Sequence, residues 1–172
     1  MSQHLTASGR RRGPEAPPAA PPAGAARDVQ LSWSRLVRLL LALIGLGISV
    51  YLSIVHLTST VKLYCPQSSV VNCETVVTSP SSVVVGIPVA YYGVAWFVVM
   101  LVLLAVPSES RGWGLARLVW AGLGVLTVLY LLRTELFVIG AICLWCTAVH
   151  VLVLLIFAVT VLVPQAGAAE PA

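Results

Sequence analysis

The sequence predicts an all-α integral membrane protein, a four-transmembrane-helix bundle with a long extracytoplasmic loop between helices 1 and 2. Three observations support this fold class. Hydrophobic residues make up 59% of the chain and charged residues only 9%, and the mean hydropathy is +0.97. A chain of this composition cannot be solvated as a water-soluble globule. Its apolar residues also fall into long runs, and a run of about 20 residues can cross the hydrocarbon core of a bilayer.

The N-terminal segment, residues 1–34, is predicted to be a disordered cytoplasmic tail. It is rich in Pro, Ala, Gly and Arg and has almost nothing to bury. The formal net charge of +4 comes mostly from arginines ahead of the first apolar run rather than from a spread-out basic face. Nucleic acid is therefore not an expected partner, whereas the lipid bilayer is.

The membrane domain is predicted at residues 35–164, followed by a short C-terminal tail of residues 165–172. Its four spans are expected between Arg38 and Lys62, then at about 83–106, 115–132 and 142–163. Close helix packing is expected at four glycines of these spans: Gly45, Gly47, Gly122 and Gly124.

The third span is the weakest of the four. Arg117 and Arg133 leave it a short charge-free core, so its ends must snorkel or the neighbouring bilayer must thin. Glu135, two residues beyond Arg133, is expected to pair with it at the surface and is given no catalytic role.

Basic residues set the predicted orientation in the plasma membrane. Arg27, Arg35 and Arg38 flank the first span, and Arg111 lies in the short loop before the third, so these flanks are predicted to be cytoplasmic. Both termini are then cytoplasmic, and all four cysteines lie on the oxidising, extracytoplasmic side. Without the third span, the two cysteine pairs would be separated by the membrane.

The loop between the first two spans, from about residue 58 to residue 85, is long for a helical membrane protein. Within it, residues 73–77 resemble a short helical turn that ends at Pro80 and can cover the bundle mouth as a lid. Pro88 is predicted to stand in the first turn of the second span, a position where proline is tolerated.

The cysteine spacing indicates thiol–disulfide chemistry. Cys143 and Cys146 are two residues apart at the start of the last apolar run, while Cys65 and Cys73 lie in the long loop. A pair with this spacing can close into a disulfide within one helical turn, and the first sulfur gains thiolate character from the helix N-terminus. A disulfide across so short a loop constrains little unfolded-chain entropy, which argues against a purely structural staple.

Two other interpretations of the four cysteines remain open at this stage. One is a zinc site, although the gap between Cys65 and Cys73 fits the usual zinc-ligand spacing poorly. The other is a non-enzymatic membrane scaffold held by two structural disulfides, as is common in extracytoplasmic loops. Redox-active pairs would be reduced by mild reductant and reoxidised by an electron acceptor, whereas structural pairs would not.

The chain resembles the vitamin K epoxide reductase family, specifically a bacterial stand-alone homologue, from about residue 36 to residue 163. The resemblance rests on several features in a fixed order along the chain. These are Cys65 and Cys73, Ser79, Gly86-Ile87-Pro88, Tyr91-Tyr92-Gly93 and Cys143-Leu144-Trp145-Cys146. A quinone-linked thiol oxidase of the unrelated DsbB type usually carries its motif pair in the first outer loop, so the order here favours the former family.

The resemblance implies a quinone-dependent thiol-disulfide oxidoreductase without a metal. Cys143 and Cys146 would be the catalytic dithiol, with Cys146 facing the quinone, while Cys65 and Cys73 would shuttle electrons inward. The electrons would come from a separate thioredoxin-fold (DsbA-like) dithiol protein. By reoxidising that protein, the enzyme would support disulfide bond formation. Menaquinone or ubiquinone is the expected acceptor.

Four further residues are candidates for the quinone site. Ser79 matches a Ser or Thr of the family, and Trp145 lies inside the motif. Ser82 and His150 stand where animal members carry an Asn and a Tyr that bond quinone oxygens. Either can donate a hydrogen bond to a carbonyl, so quinone reduction is expected to survive the change, but epoxide reduction is not carried over. His150, one turn past Cys146, is also a hypothetical proton donor.

Overall fold

The computed structural model describes residues 23–58, 63–66, 68, 70–106 and 110–163. Four long helices dominate this part of the chain: α1 (Ala23–Leu57), α3 (Val89–Ala105), α4 (Arg111–Arg133) and α5 (Leu144–Leu162). Between α1 and α3 lie α2 (Cys73–Thr78), a 3₁₀ turn (Pro80–Ser82), and strands β1 (Val83–Val84) and β2 (Ile87–Pro88). A π-helical segment, Thr134–Ile139, continues α4 toward α5.

The four long helices pack around one apolar core. Each contributes buried side chains to it, among them Ala42 of α1, Phe97 of α3, Ala121 of α4 and Ile156 of α5. The outward faces are also apolar, with many exposed leucines, isoleucines and valines. Helices that are apolar on all faces suit a lipid environment, where no water is present to solvate polar side chains. Away from their ends, such helices also satisfy their backbone polar groups internally.

Three helical segments in the described part of the chain are long and apolar enough to cross a membrane: Gln30–Leu57, Arg111–Ile139 and Leu144–Leu162. The chain is thus an all-α membrane protein as predicted. The fourth apolar helix, Val89–Ala105, is shorter. The third predicted span, considered the weakest, is in fact among the longest, because the helix begins at Arg111 and continues through the π-helical segment.

The second predicted span begins later than expected. Residues 83–88 form a small antiparallel hairpin, in which Val84 pairs with Ile87. Val85 and Gly86 make its turn with positive φ angles of 52° and 80°, and such angles cannot continue a right-handed helix. Pro88 therefore precedes α3 as its N-cap residue rather than standing in its first turn.

The predicted boundary at residue 34 lies inside α1, which begins at Ala23. Alanines at 23, 25 and 26 favour a helix and outweigh the neighbouring Gly24, which disfavours one. Residues 1–22 of the predicted tail and residues 165–172 lie outside the described residues.

Arginines near one end of the bundle bind the end of α3 instead of snorkelling outward. Arg35 of α1 and Arg117 of α4 donate hydrogen bonds of 2.8–3.1 Å to the last carbonyl oxygens of α3, at residues 103–106. These carbonyls have no partner within the helix and carry its negative dipole end, so two cations stabilise them. Arg117 is accordingly buried.

Candidate active site

The long loop is fixed to the start of α5 by main-chain hydrogen bonds. Asn72 donates to the carbonyl of Ile142 at 3.1 Å, and Ile142 donates to the carbonyl of Val70 at 2.9 Å, forming a short parallel bridge. The Asn72 side chain then accepts from the Thr75 N–H at 3.1 Å and so starts α2. Because α2 and α5 both begin directly after this bridge, Cys73 and Cys143 come together.

The four cysteines form one cluster at this end of the bundle. Cys65 and Cys73 are joined by a disulfide, whereas Cys143 and Cys146 are free thiols. Cys73 and Cys143 are each 0% exposed, while Cys65 is half-buried. The N–H of Leu144 donates to the sulfur of Cys73 at 3.3 Å, so the loop disulfide lies directly against the dithiol motif.

Cys143 occupies the N-cap of α5, and its sulfur accepts the N–H of Cys146 at 3.3 Å. The pKa of the Cys143 thiol is lowered from its ordinary value, chiefly because the Cys146 thiol donates a hydrogen bond to it. Backbone hydrogen bonds from Cys146 and Trp145 act in the same direction, while burial and the charge of Glu135 oppose them. Of the two thiols, Cys143 is therefore the more readily ionised nucleophile.

A cavity of about 500 Å³ opens beneath this cluster, between all four long helices. Its walls are mainly apolar, and Val76 and Val77 of α2 cover one side of it, as predicted for a lid. Cys146 lines the cavity, whereas Cys143 does not. The motif thus has one thiol facing the loop disulfide and one facing the cavity.

Two of the four quinone-site candidates lie on this cavity, Ser82 and His150. His150 is buried, and its Nδ1 has no hydrogen-bond partner. The hydroxyl of Ser82 points to the backbone, with the carbonyl oxygens of Val77 and Ser79 at 2.8 and 2.7 Å. Since a hydroxyl has a single proton, Ser82 cannot donate to a ligand without giving up this local bond.

Ser79 does not line the cavity, contrary to the expectation. Its side-chain oxygen accepts from the N–H of Ser81 at 3.2 Å and caps the 3₁₀ turn that follows α2. A serine directly before a proline that starts a helical turn favours this capping role, because its oxygen satisfies a donor that the turn leaves free.

Trp145 also lies away from the cavity. Its ring packs against Tyr51 with centroids 5.3 Å apart, and its Nε1 donates to the carbonyl of Tyr64 at 2.8 Å. Within Cys-Leu-Trp-Cys, Trp145 points toward the long loop and Cys146 toward the cavity, because successive helical residues point in directions about 100° apart. Trp145 therefore holds the loop segment next to Cys65.

Among the polar cavity residues that sequence reasoning missed, Ser49 and Glu135 stand out by their unpaired polar atoms. Both are buried, and the Ser49 hydroxyl and Glu135 Oε2 have no hydrogen-bond partner. The predicted Arg133–Glu135 surface pair is wrong, because Arg133 is exposed and Glu135 is 5% exposed. Residues two apart on a helix do not share a face, and an ionisable residue within an apolar run is a functional candidate, so both signals were available.

Among the residues that the structure describes, no group of three or more His, Cys, Asp or Glu side chains is arranged to hold a metal ion. The polar atoms that face the cavity are instead isolated ones in an apolar wall. Such a site suits a largely apolar organic molecule with a few hydrogen-bonding atoms.

The fold and the cysteine cluster define a helical membrane protein with paired thiols above an apolar cavity. The sequence model of the vitamin K epoxide reductase family matches residues 36–161. The chain therefore belongs to this family, whose members are membrane thiol oxidoreductases that use quinones. A comparison with curated proteins gives no match.

Proposed function

We propose that the protein is a membrane thiol:quinone oxidoreductase that reoxidises an extracytoplasmic thioredoxin-fold dithiol protein. The observation that carries this proposal is the order of the four sulfurs. Cys65 is half-buried, Cys73 and Cys143 are buried side by side, and Cys146 lines the cavity. This order forms a path from the protein surface to the apolar site.

The electron path follows from thiol–disulfide exchange. A partner thiolate attacks the sulfur of Cys65, breaks the Cys65–Cys73 bond and releases the Cys73 thiolate. Cys73 then attacks Cys143 of an oxidised Cys143–Cys146 pair and frees the Cys146 thiolate at the cavity. The second partner thiol displaces Cys65, which re-forms its bond with Cys73 and leaves Cys143 and Cys146 reduced.

The cavity suits a quinone head group in size and in chemistry. About 500 Å³ lies within the usual range of small-molecule sites, and Ser49, Glu135 and His150 supply unpaired polar atoms in its mainly apolar wall. Menaquinone or ubiquinone would accept two electrons and two protons there. Loss of two electrons from Cys143 and Cys146 re-forms their disulfide, so one partner dithiol is oxidised for each quinone reduced.

The proposed orientation places four spans in the plasma membrane, with both termini cytoplasmic and the cysteines extracytoplasmic. It is supported by the arginines at the end of α3, which lie at the end of the bundle away from the cysteine cluster. Positive charge of this kind is typical of the cytoplasmic side.

The test is quinone reduction by the purified protein in detergent, with a reduced thioredoxin-fold dithiol as donor. Cys146→Ser should abolish turnover. Thr147→Ser is a matched control, because it keeps the hydroxyl that donates to the Cys143 carbonyl at 2.9 Å, and it should retain turnover. A wild-type protein that reduces no common quinone, with cysteines that resist mild reductant, would support the scaffold with structural disulfides instead.

A further inference from the structure

Glu135 is the acidic residue that the structure places in the cavity wall. It lies in the π-helical segment Thr134–Ile139, whose wider turn is closed by a hydrogen bond of 2.9 Å from the Gly140 N–H to the Glu135 carbonyl. Segments of this kind inside helices occur frequently at functional sites. The side chain is 5% exposed, lines the cavity and leaves Oε2 without a partner.

The same carboxyl group lies against the dithiol motif. The carboxyl group of Glu135 is close enough to the Cys143 backbone N–H, and to the Cys143 and Cys146 thiols, to interact with all three electrostatically. A carboxyl group that lies beside the motif, belongs to a residue of the cavity wall and has an unpaired oxygen, Oε2, is placed to interact with both reactants of the proposed reaction. An uncompensated carboxylate in an apolar wall is unfavourable, and such residues are rarely kept without a function.

The proton balance of quinone reduction indicates a role for this carboxyl group in proton transfer. Oxidation of the two thiols to a disulfide releases two protons and two electrons, and reduction of one quinone to quinol takes up the same number. Two protons must therefore reach the quinone oxygens inside a mainly apolar cavity, and the thiols of the motif are one source of them. A carboxyl group between the two sites can accept a proton from a thiol and donate it to a quinone oxygen.

We propose that Glu135 is a catalytic proton carrier between the Cys143–Cys146 dithiol and the quinone oxygen. The proposal rests on the proposed function, and it assigns the proton transfer within that function to one residue. It also replaces His150 as the first proton donor, because Glu135 lies in the cavity wall and is close enough to Cys143 for its charge to act on that thiol.

A purely positioning role is the alternative, in which Glu135 only accepts the Cys143 N–H and so orients the start of α5. Glu135→Gln separates the two roles. The glutamine amide keeps a carbonyl oxygen that can accept the N–H, but it cannot take up or release a proton at neutral pH. Glu135→Asp keeps the carboxyl group on a shorter side chain. Glu74→Gln is the matched control, since Glu74 is an exposed glutamate on α2.

The experiment measures two half-reactions separately with the full chain in detergent. In one, oxidised protein is mixed with reduced thioredoxin-fold dithiol, and the thiols are trapped by alkylation. In the other, reduced protein is mixed anaerobically with a short-chain ubiquinone, and quinol formation is followed across a pH series. Other titratable residues also line the cavity, and they remain in every variant: His56, Tyr92, Tyr130, Cys146 and His150.

Glu135→Gln should slow quinol formation by roughly 100-fold or more, the usual range for loss of a general acid–base group. Its disulfide exchange with the partner should stay within about 2-fold of wild type, since each exchange step passes from one thiolate to another and transfers no proton to a quinone. The pH dependence of quinol formation should change in Glu135→Gln, while Glu135→Asp should restore part of the rate and Glu74→Gln all of it.

Normal quinol formation in Glu135→Gln, beside an active wild type, would overturn the role of Glu135 and leave the proposed function intact. Equal losses in both half-reactions would also overturn it and assign Glu135 to positioning. A wild-type protein that exchanges disulfides but reduces no quinone would overturn the proposed function itself, and the carrier role with it.

Discussion

Replacing Gly45 with alanine should destabilise the helix bundle, although alanine is the better helix former. A Cβ atom at Gly45 would meet Cζ, Cε1 and Cε2 of Phe97 closer than real Cβ atoms approach any neighbour. The ring cannot easily move away, because Phe97 is 0% exposed and packs edge-on against Trp96, with centroids 4.9 Å apart.

The size of the effect follows from two opposing contributions. Alanine gains about 1 kcal/mol over glycine in a helix interior, and overpacking a tight contact usually costs about 1–3 kcal/mol. Gly47 lies on the same helix, and a Cβ there would meet nothing within 4 Å. Since both substitutions gain the same helix propensity, Gly45→Ala should be less stable than Gly47→Ala by about 1–3 kcal/mol.

The assay is reversible unfolding in mixed detergent micelles, followed by circular dichroism for wild type and both variants. A double-mutant cycle with Phe97→Leu adds a second measurement, because a smaller side chain should reduce the penalty of Gly45→Ala. If Gly45→Ala is as stable as Gly47→Ala, or if its penalty is unchanged with Phe97→Leu, the close contact between α1 and α3 does not carry the stability assigned to it.

Two further predictions concern the cysteine motif. The lowered pKa of Cys143 means that its thiolate persists to lower pH than that of an ordinary thiol. Cys146→Ala removes the thiol that donates to Cys143, so it should shift the ultraviolet thiolate titration of Cys143 to higher pH. Cys146→Ser keeps a donor and should shift the titration less. If Cys143 titrates at the same pH in both variants, the hydrogen bond from Cys146 is not the cause of the lowered pKa. Trp145→Phe should remove the 2.8 Å hydrogen bond to the Tyr64 carbonyl, worth about 1 kcal/mol, and speed amide hydrogen exchange at residues 63–65. The exposed Trp33→Phe is its control, and similar exchange in both would show that the bond does not hold the loop.

Local sequence signals predicted much of the cysteine end of the bundle. The helical turn at residues 73–77, ended at Pro80, is confirmed as α2, Cys73–Thr78. The expectation that all four cysteines lie together on one side of the bundle agrees with the cluster that they form. The first depended on a proline that ends a helical turn, and the second on charge-free runs between basic flanks.

The sequence predictions failed where the role of a residue depends on the direction of its side chain. Trp145 and Cys146 are adjacent in sequence but face the loop and the cavity, respectively. Glu135 was paired with Arg133 by proximity along the chain, although the helix turns the two apart. The hairpin before α3 depends on the positive φ angle of Val85, which a β-branched residue rarely adopts, so the sequence around it did not indicate a turn.

The arginines that bind the end of α3 have a consequence for the surrounding lipid. The 17 residues of α3 reach roughly 25 Å at about 1.5 Å per residue, which is less than the ~30 Å hydrocarbon core of a typical bilayer. If α3 crosses the membrane as proposed, headgroups and water must come inward to meet the half-exposed Arg35 at its end. The bilayer would then be locally thinned around the protein. The stability of the protein should therefore depend on acyl-chain length and be greater in thinner membranes.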